Sequence, residues 1–197
     1  MGRKKIQGSE QGNKSGGTGF QPVSAFKITR RNLPHWQEPE SIYFLTWRCT
    51  KGRALTPEER TITVKALLHW DARKWSVYAA GVMPDHVHAL AKPLPKGEQG
   101  AFDLGEILHS VKSFSAHRIN NERGKQGSVW QDERFDRIVR DEKEFTEKWQ
   151  YIRNNPVKNG LCEKPEDYPW FFERREQDTG LRPVPPELFP IFLSFLL

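Results

Sequence analysis

Cysteine is nearly absent: Cys49 and Cys162 are the only two in 197 residues, and they stand in no metal-ligand spacing. That count argues against a disulfide framework and against a cysteine zinc site, and reduced thiols in a cytoplasmic protein are the expectation. Long apolar runs are missing as well. Residues 188–197 are apolar but fall short of the about 20 residues that span a bilayer, so they are expected to pack on the domain or on a partner. Residues 1–24 lack the apolar stretch of a signal peptide. Rich in Gly, Lys, Ser and Gln, the segment 1–27 reads as a flexible basic tail. Acid is in deficit, with 25 Asp+Glu against 31 Lys+Arg and a net charge of +6. A pI of about 9.4 favours a polyanionic partner. What is left, residues 28–172, is long enough for one domain with a genuine core, and 173–197 form a C-terminal extension.

Within that domain the most informative stretch is Gly81-Val-Met-Pro-Asp-His-Val-His-Ala-Leu90. On a strand, His86 and His88 project from one face while Val87 enters the core on the other. Two imidazoles roughly 7 Å apart along one face can converge on a divalent ion; they can equally be half-exposed histidines on a polar sheet face. The flanks predict a tight hairpin, turning at Pro84-Asp85, with the histidines opening its second arm.

A second stretch, Asp141 to Asn155, has acids in its first turn and Phe145, Trp149 and Ile152 at helical spacing, with Pro156 as the expected stop. Tyr151 and Asn155 are four apart and share a helical face. A tyrosine oxygen can attack phosphorus while an Asn carbonyl serves as a metal ligand. The alternative is a core tyrosine followed by a C-terminal cap.

The remaining pattern gives strand 42–48, helix 57–73, strand 75–83, strand 86–92, helix 104–121 and strand 135–139 ahead of the tyrosine helix. This βαββαβ order predicts an α+β, ferredoxin-like sandwich with an antiparallel sheet and an added helix carrying Tyr151. The 104–121 helix has an apolar stripe with Lys112, Ser113, His117 and Arg118 largely off it. With Arg123, Lys125 and Arg153 these are candidate phosphate contacts, or a solvated surface. Among seven tryptophans, Trp47, Trp70, Trp75 and Trp149 fit core patterns. Trp36 and Trp130 fall in expected loops and are the candidates for stacking on DNA bases.

His86-Val-His88 after Met83-Pro-Asp85, with Tyr151-Ile-Arg-Asn-Asn-Pro-Val-Lys-Asn-Gly-Leu161 and Pro165-Glu-Asp-Tyr-Pro-Trp170, resembles the REP-associated tyrosine transposases, single-tyrosine members of the HUH nuclease superfamily. Leu33-Pro-His-Trp36, Tyr43-Phe-Leu-Thr-Trp47, Lys112-Ser-Phe-Ser115 and Trp130-Gln-Asp-Glu-Arg-Phe-Asp136 extend the resemblance over residues 28–170. It implies that His86 and His88 are metal ligands, Tyr151 the nucleophile and Asn155 a polar third ligand. It also implies a single-stranded DNA nuclease and strand transferase acting beside REP-type hairpins through a 5′-phosphotyrosine. Nitrogen and oxygen ligands together suit Mn²⁺ at least as well as Mg²⁺. Hairpin or single-stranded DNA is then the partner, without a membrane, and the chain works as a monomer or homodimer.

Two rivals keep some of these residues. A domesticated protein would bind hairpin DNA without cutting it, and a metal-dependent hydrolase would use an activated water; the hydrolase lacks a convincing set of further His and Asp ligands. Thr18-Gly-Phe-Gln-Pro-Val23 and Thr179-Gly-Leu-Arg-Pro-Val184 nearly repeat one another across the domain. They are either translated copies of a short DNA repeat or a coincidence of low-complexity tails.

Overall fold

A computed structural model describes residues 27–30, 34–38, 40–97 and 100–174. The basic tail, the near-repeat segments and the apolar C-terminal run therefore lie outside the described residues, as does all but the start of the expected extension.

Strands β1 (Lys27–Arg30) and β2 (Pro34–Gln37) pair as a hairpin of their own. The domain proper runs β3 (Ile42–Cys49), α1 (Pro57–His69), β4 (Trp75–Val82), β5 (His86–Pro93), α2 (Leu104–Arg123), β6 (Trp130–Val139), α3 (Glu142–Lys158) and β7 (Phe171–Glu173). The sheet order is β6-β3-β5-β4-β7, all neighbours antiparallel. The first six elements are the predicted βαββαβ unit; α3 and the edge strand β7 are added to it. The β1-β2 hairpin and β7 carry no sequence signal strong enough to have been anticipated.

Local chemistry sets the ends. Thr56 and Glu59 form a reciprocal capping box before Pro57, so α1 starts where Pro is tolerated. It stops at His69, a turn earlier than the apolar pattern predicts, with Trp70 as C-cap and Ala72 at φ 57. Gly124 at φ 59 closes α2, with Gly124 N–H donating to Asn121 and Lys125 N–H to Asn120. Strand β6 begins five residues before the expected Phe135. Its charged start has low strand propensity, but its pairing with β3, through an irregularity between Trp47 and Cys49, extends the ladder.

Alternation along the strands divides the interior in two. Tyr43, Leu45 and Trp47 of β3 and Val87, Ala89 and Ala91 of β5 join Leu67, Leu104, Ile107, Leu108 and Val111 under α1 and α2. On the other face Phe44 and Leu90 join Tyr78, Ala79, Phe145, Trp149 and Ile152 under α3. A register shift between Val77 and Ala79 brings both Tyr78 and Ala79 into this second core. The histidines lie on the α3 face, the face a bare βαββαβ unit leaves open.

Candidate active site

The turn before the histidines is held from outside the hairpin. Met83 N–H donates to the His86 carbonyl at 2.8 Å, while the Leu55 and Cys49 amides donate to Pro84 and Asp85 at 2.6 and 2.8 Å. Three hydrogen bonds thereby fix the strand start that carries His86. Its Nδ1 lies 2.6 Å from Asp85 Oδ1, and since a carboxylate only accepts, the imidazole donates there and leaves Nε2 with its lone pair. Arg48, exposed across the strand pair, lies 3.6 Å from the same carboxylate.

His88 is buried, at 4% exposure. It pairs in register with Thr46, whose Oγ1 is 2.8 Å from His88 Nδ1. Burial, reinforced by the neighbouring His86 and by Arg48, pushes the His88 imidazole down to about 3, so it is neutral at physiological pH. Its Nε2 is buried and has no hydrogen-bond partner among the described residues. A polar atom in that condition is costly unless something outside the chain satisfies it.

Above this strand pair lies α3. It is capped by Asp141, whose side chain accepts from Glu144 N–H at 2.7 Å, and it is pinned to the end of β6 by Glu144, which pairs with Arg137 and Arg140 at 2.6 and 3.0 Å. Gly81, in register with His88, lies directly under the helix: a Cβ there would stand 3.4 Å from Ile152 Cγ2 and 3.8 Å from the Ile152 carbonyl oxygen, ordinary contact distances. Ile152 thus anchors α3 on the sheet, and the residue before it faces the histidines. The Tyr151 ring lies 5.0 Å from that of His88, which is itself 4.6 Å from that of His86. Phe44 supports the group from below, stacked on His88 at 5.6 Å and edge-on to Tyr151 at 5.8 Å. Tyr151 stays 41% exposed.

Asn155 is buried one turn further along. The helix does not stop beside it, as the sequence pattern predicts; Pro156 lies inside α3, which runs on to Lys158 and closes at Gly160 with φ 67. Pro156 has no N–H to donate to the Ile152 carbonyl, and the helix end beyond it is held by Asn159 N–H on the Asn155 carbonyl and Leu161 N–H on the Pro156 carbonyl. Asn159, not Asn155, is the C-cap, and its side-chain amide donates to the Asn155 carbonyl at 2.8 Å and to Asn155 Oδ1 at 3.1 Å. Asn155 Oδ1 is thereby oriented and keeps a second lone pair.

The DNA-contact candidates divide. His117, Arg118, Lys125 and Ser113 are exposed. Lys112 bonds the Gln131 and Asp132 carbonyls at 2.6 and 3.0 Å. With Ser113 it lines an open groove of about 620 Å³ between α2 and the start of β6. This helix belongs to the layer opposite α3, so its basic cluster does not adjoin Tyr151. Arg123 is committed to Glu59 and the Ala54 carbonyl, tying α2 to the head of α1. Arg153 pairs with Glu166 and lies 3.8 Å from Glu173. Trp130, expected in a loop, opens β6; it is 4% exposed, and its indole N–H donates to Ser115 Oγ at 2.9 Å. Its ring serves the core beside Trp47. Trp36 falls in β2 instead of a loop, and its side chain lies outside the described residues. Thr46, Asp85 and Phe44 escape sequence reasoning as site residues. Alternation along Tyr43-Phe-Leu-Thr-Trp47 does place Phe44 and Thr46 on one face; what sequence lacks is the β3-β5 register.

Residues 40–155, from just before β3 to Asn155, match the family model described as transposase, IS200-like. The chain belongs to that family. Within it, a REP-associated tyrosine transposase of Escherichia coli K12 is 26% identical over 112 residues, covering 57% of this chain and 62% of the relative. A Haemophilus influenzae protein provisionally given the same designation is 25% identical over 108 residues, covering 52% and 61%. The chain spans about three fifths of the length of these two relatives. A solved REP-associated tyrosine transposase bound to a REP hairpin shares the fold at a TM-score of 0.62 and 21% identity, over 77% of this chain and 88% of that one. In this IS200-like chain the matched span includes His86, His88, Tyr151 and Asn155.

Proposed function

We propose that this chain nicks and rejoins single-stranded DNA beside REP-type hairpins, with Tyr151 as nucleophile, a divalent metal bound by His86, His88 and Asn155, and a covalent 5′-phosphotyrosine intermediate. The observation that carries the reading is the exposed Tyr151 ring 5.0 Å from His88, whose buried Nε2 has no partner among the described residues.

The residues fit a metal. With Asp85 accepting from His86 Nδ1 and the Thr46 hydroxyl accepting from His88 Nδ1, each neutral imidazole would present its Nε2 lone pair. Among the described residues no cluster of three or more His, Cys, Asp or Glu is arranged to hold a metal. The third protein ligand must then be of another type, and the Asn155 amide oxygen suits a Mn²⁺ or Mg²⁺ site. Such an ion supplies charge stabilisation at a scissile phosphate. Tyr151 Oη forms the new bond to phosphorus as the bond to the 3′ oxygen breaks; that oxygen takes a proton and leaves as a 3′ hydroxyl. The phosphate stays on the 5′ strand, esterified to Tyr151, and a later 3′ hydroxyl reverses the step, so joining needs no external energy source.

Labelled hairpin DNA with single-stranded flanks, incubated with Mn²⁺ or Mg²⁺, gives the test on a denaturing gel. Wild type is expected to form a covalent adduct that Tyr151→Phe and chelation both abolish. Cleavage persisting in Tyr151→Phe would favour a water-using hydrolase, and binding without cleavage in wild type would favour the domesticated reading.

A further inference from the structure

One large apolar side chain on the sheet has no structural reason to be where it is. Phe135 is 51% exposed on β6, the edge strand of the five-stranded sheet. An exposed aromatic on an edge strand invites aggregation, and natural sheets place charge there instead. The strand is polar elsewhere, since Gln131, Asp132 and Arg137 are its other exposed residues. Phe135 is the exception.

Its position is specific. Phe135 pairs in register with Thr46, and Thr46 pairs in register with His88. The three side chains form one row across the α3 face, with Phe135 two strands, roughly 10 Å, from His88. Its ring meets Phe44 edge-on at 6.4 Å, and Phe44 in turn meets Tyr151 and His88. Phe44 is buried and holds the orientation; Phe135 and Tyr151 are the two exposed rings it supports. Charge around them is mixed, with Asp85 on His86 and Asp136 paired to Arg134, but one cation stands apart. Lys148, one turn before Tyr151 on α3, puts Nζ 5.3 Å over the Phe44 ring and has no carboxylate partner among the described residues. An exposed aromatic beside an uncompensated cation, next to a nucleophile that acts on a phosphodiester, is the arrangement that holds single-stranded nucleic acid by stacking.

We infer that Phe135 is a stacking platform for an unpaired DNA base flanking the phosphate presented to Tyr151. This rests on the proposed reaction and adds to it the residue that positions the strand. The ring contributes binding and register, not chemistry, and it reads no base identity, because every base offers a π face.

Two single strands of equal charge separate the base from the backbone: dT20, and a 20-mer of abasic spacers. Dissociation constants are measured for both in the Tyr151→Phe background, with Phe135, Phe135→Ala and Phe135→Trp. The expected result is a loss of about tenfold for dT20 on Phe135→Ala, no loss for the abasic strand, and recovery with Phe135→Trp. Equal weakening on both strands, or none on dT20, overturns the inference. The parent reaction is judged separately, by the Tyr151-dependent adduct: an adduct without base coupling sinks the platform alone, and coupling without an adduct sinks the nuclease alone.

Discussion

At the scale of single residues, the site depends on groups that are not themselves reactive. Thr46 is the sharpest case. Among the described residues its hydroxyl is the partner of His88 Nδ1, at 2.8 Å; with the hydroxyl accepting there, the ring keeps its proton on Nδ1 and a lone pair on Nε2. Thr46→Val keeps the shape of the side chain and removes the hydroxyl. A lost intramolecular hydrogen bond of this kind costs on the order of 1 kcal/mol, so the fold should survive with a modest fall in Tm. Mn²⁺ affinity, titrated calorimetrically, should fall by about 10- to 100-fold, and Thr46→Ser should restore it. A valine variant with wild-type metal affinity would show that His88 needs no orienting partner.

At the scale of elements, the site is a matter of how α3 is seated on the sheet. Ile152 over Gly81 sets the contact in the middle, and Glu144 fixes the start of the helix to the end of β6. The Arg140 guanidinium first, then the Arg140 amide and Arg137, hold the buried Glu144 carboxyl down at about 2 against an ordinary 4.5. A carboxyl depressed in the folded state stabilises the fold fully above its unfolded value and loses that contribution as pH falls from about 4.5 toward 2. Urea midpoints at pH 5, 4 and 3 should drop more steeply for wild type than for Glu144→Gln, which should already be weaker at pH 5. Parallel curves would show that this joint carries no acid sensitivity. The same element scale shows what the sequence makes legible. Order and face of β3 to α3 follow from alternation and helical spacing, because buried periodicity is written in residue type. Element ends do not follow so directly: α3 runs on through Pro156 because Asn159 and Leu161 close the turn beyond it, and β6 starts at Trp130 because β3 pairs with it. Tyr151 beside His88 follows from motif order, but Thr46 beside His88 needs a register that single-strand patterns do not contain.

At the scale of the whole molecule, a net charge of +6 is spread over cations of two kinds that sequence cannot tell apart. Arg123 is spent internally on Glu59, whose side chain is only 3% exposed. Lys148 stands over Phe44, one turn before Tyr151. Each cation that neutralises a phosphate of a single strand adds about 0.7 to the slope of log affinity against log salt. Lys148→Met should therefore reduce the slope measured with dT20 by about 0.7 while leaving Tm near wild type. Arg123→Met should do the opposite, leaving the slope unchanged and lowering stability by on the order of 2 kcal/mol, because the buried Glu59 carboxylate then keeps, among the described residues, only the Thr56 amide and Arg53 at 3.8 Å. The pair of measurements separates charge that faces DNA from charge that holds the fold. An unchanged slope for Lys148→Met would remove the α3 face from the binding path, and a shallower slope for Arg123→Met would place the strand on the opposite layer, over α1 and α2.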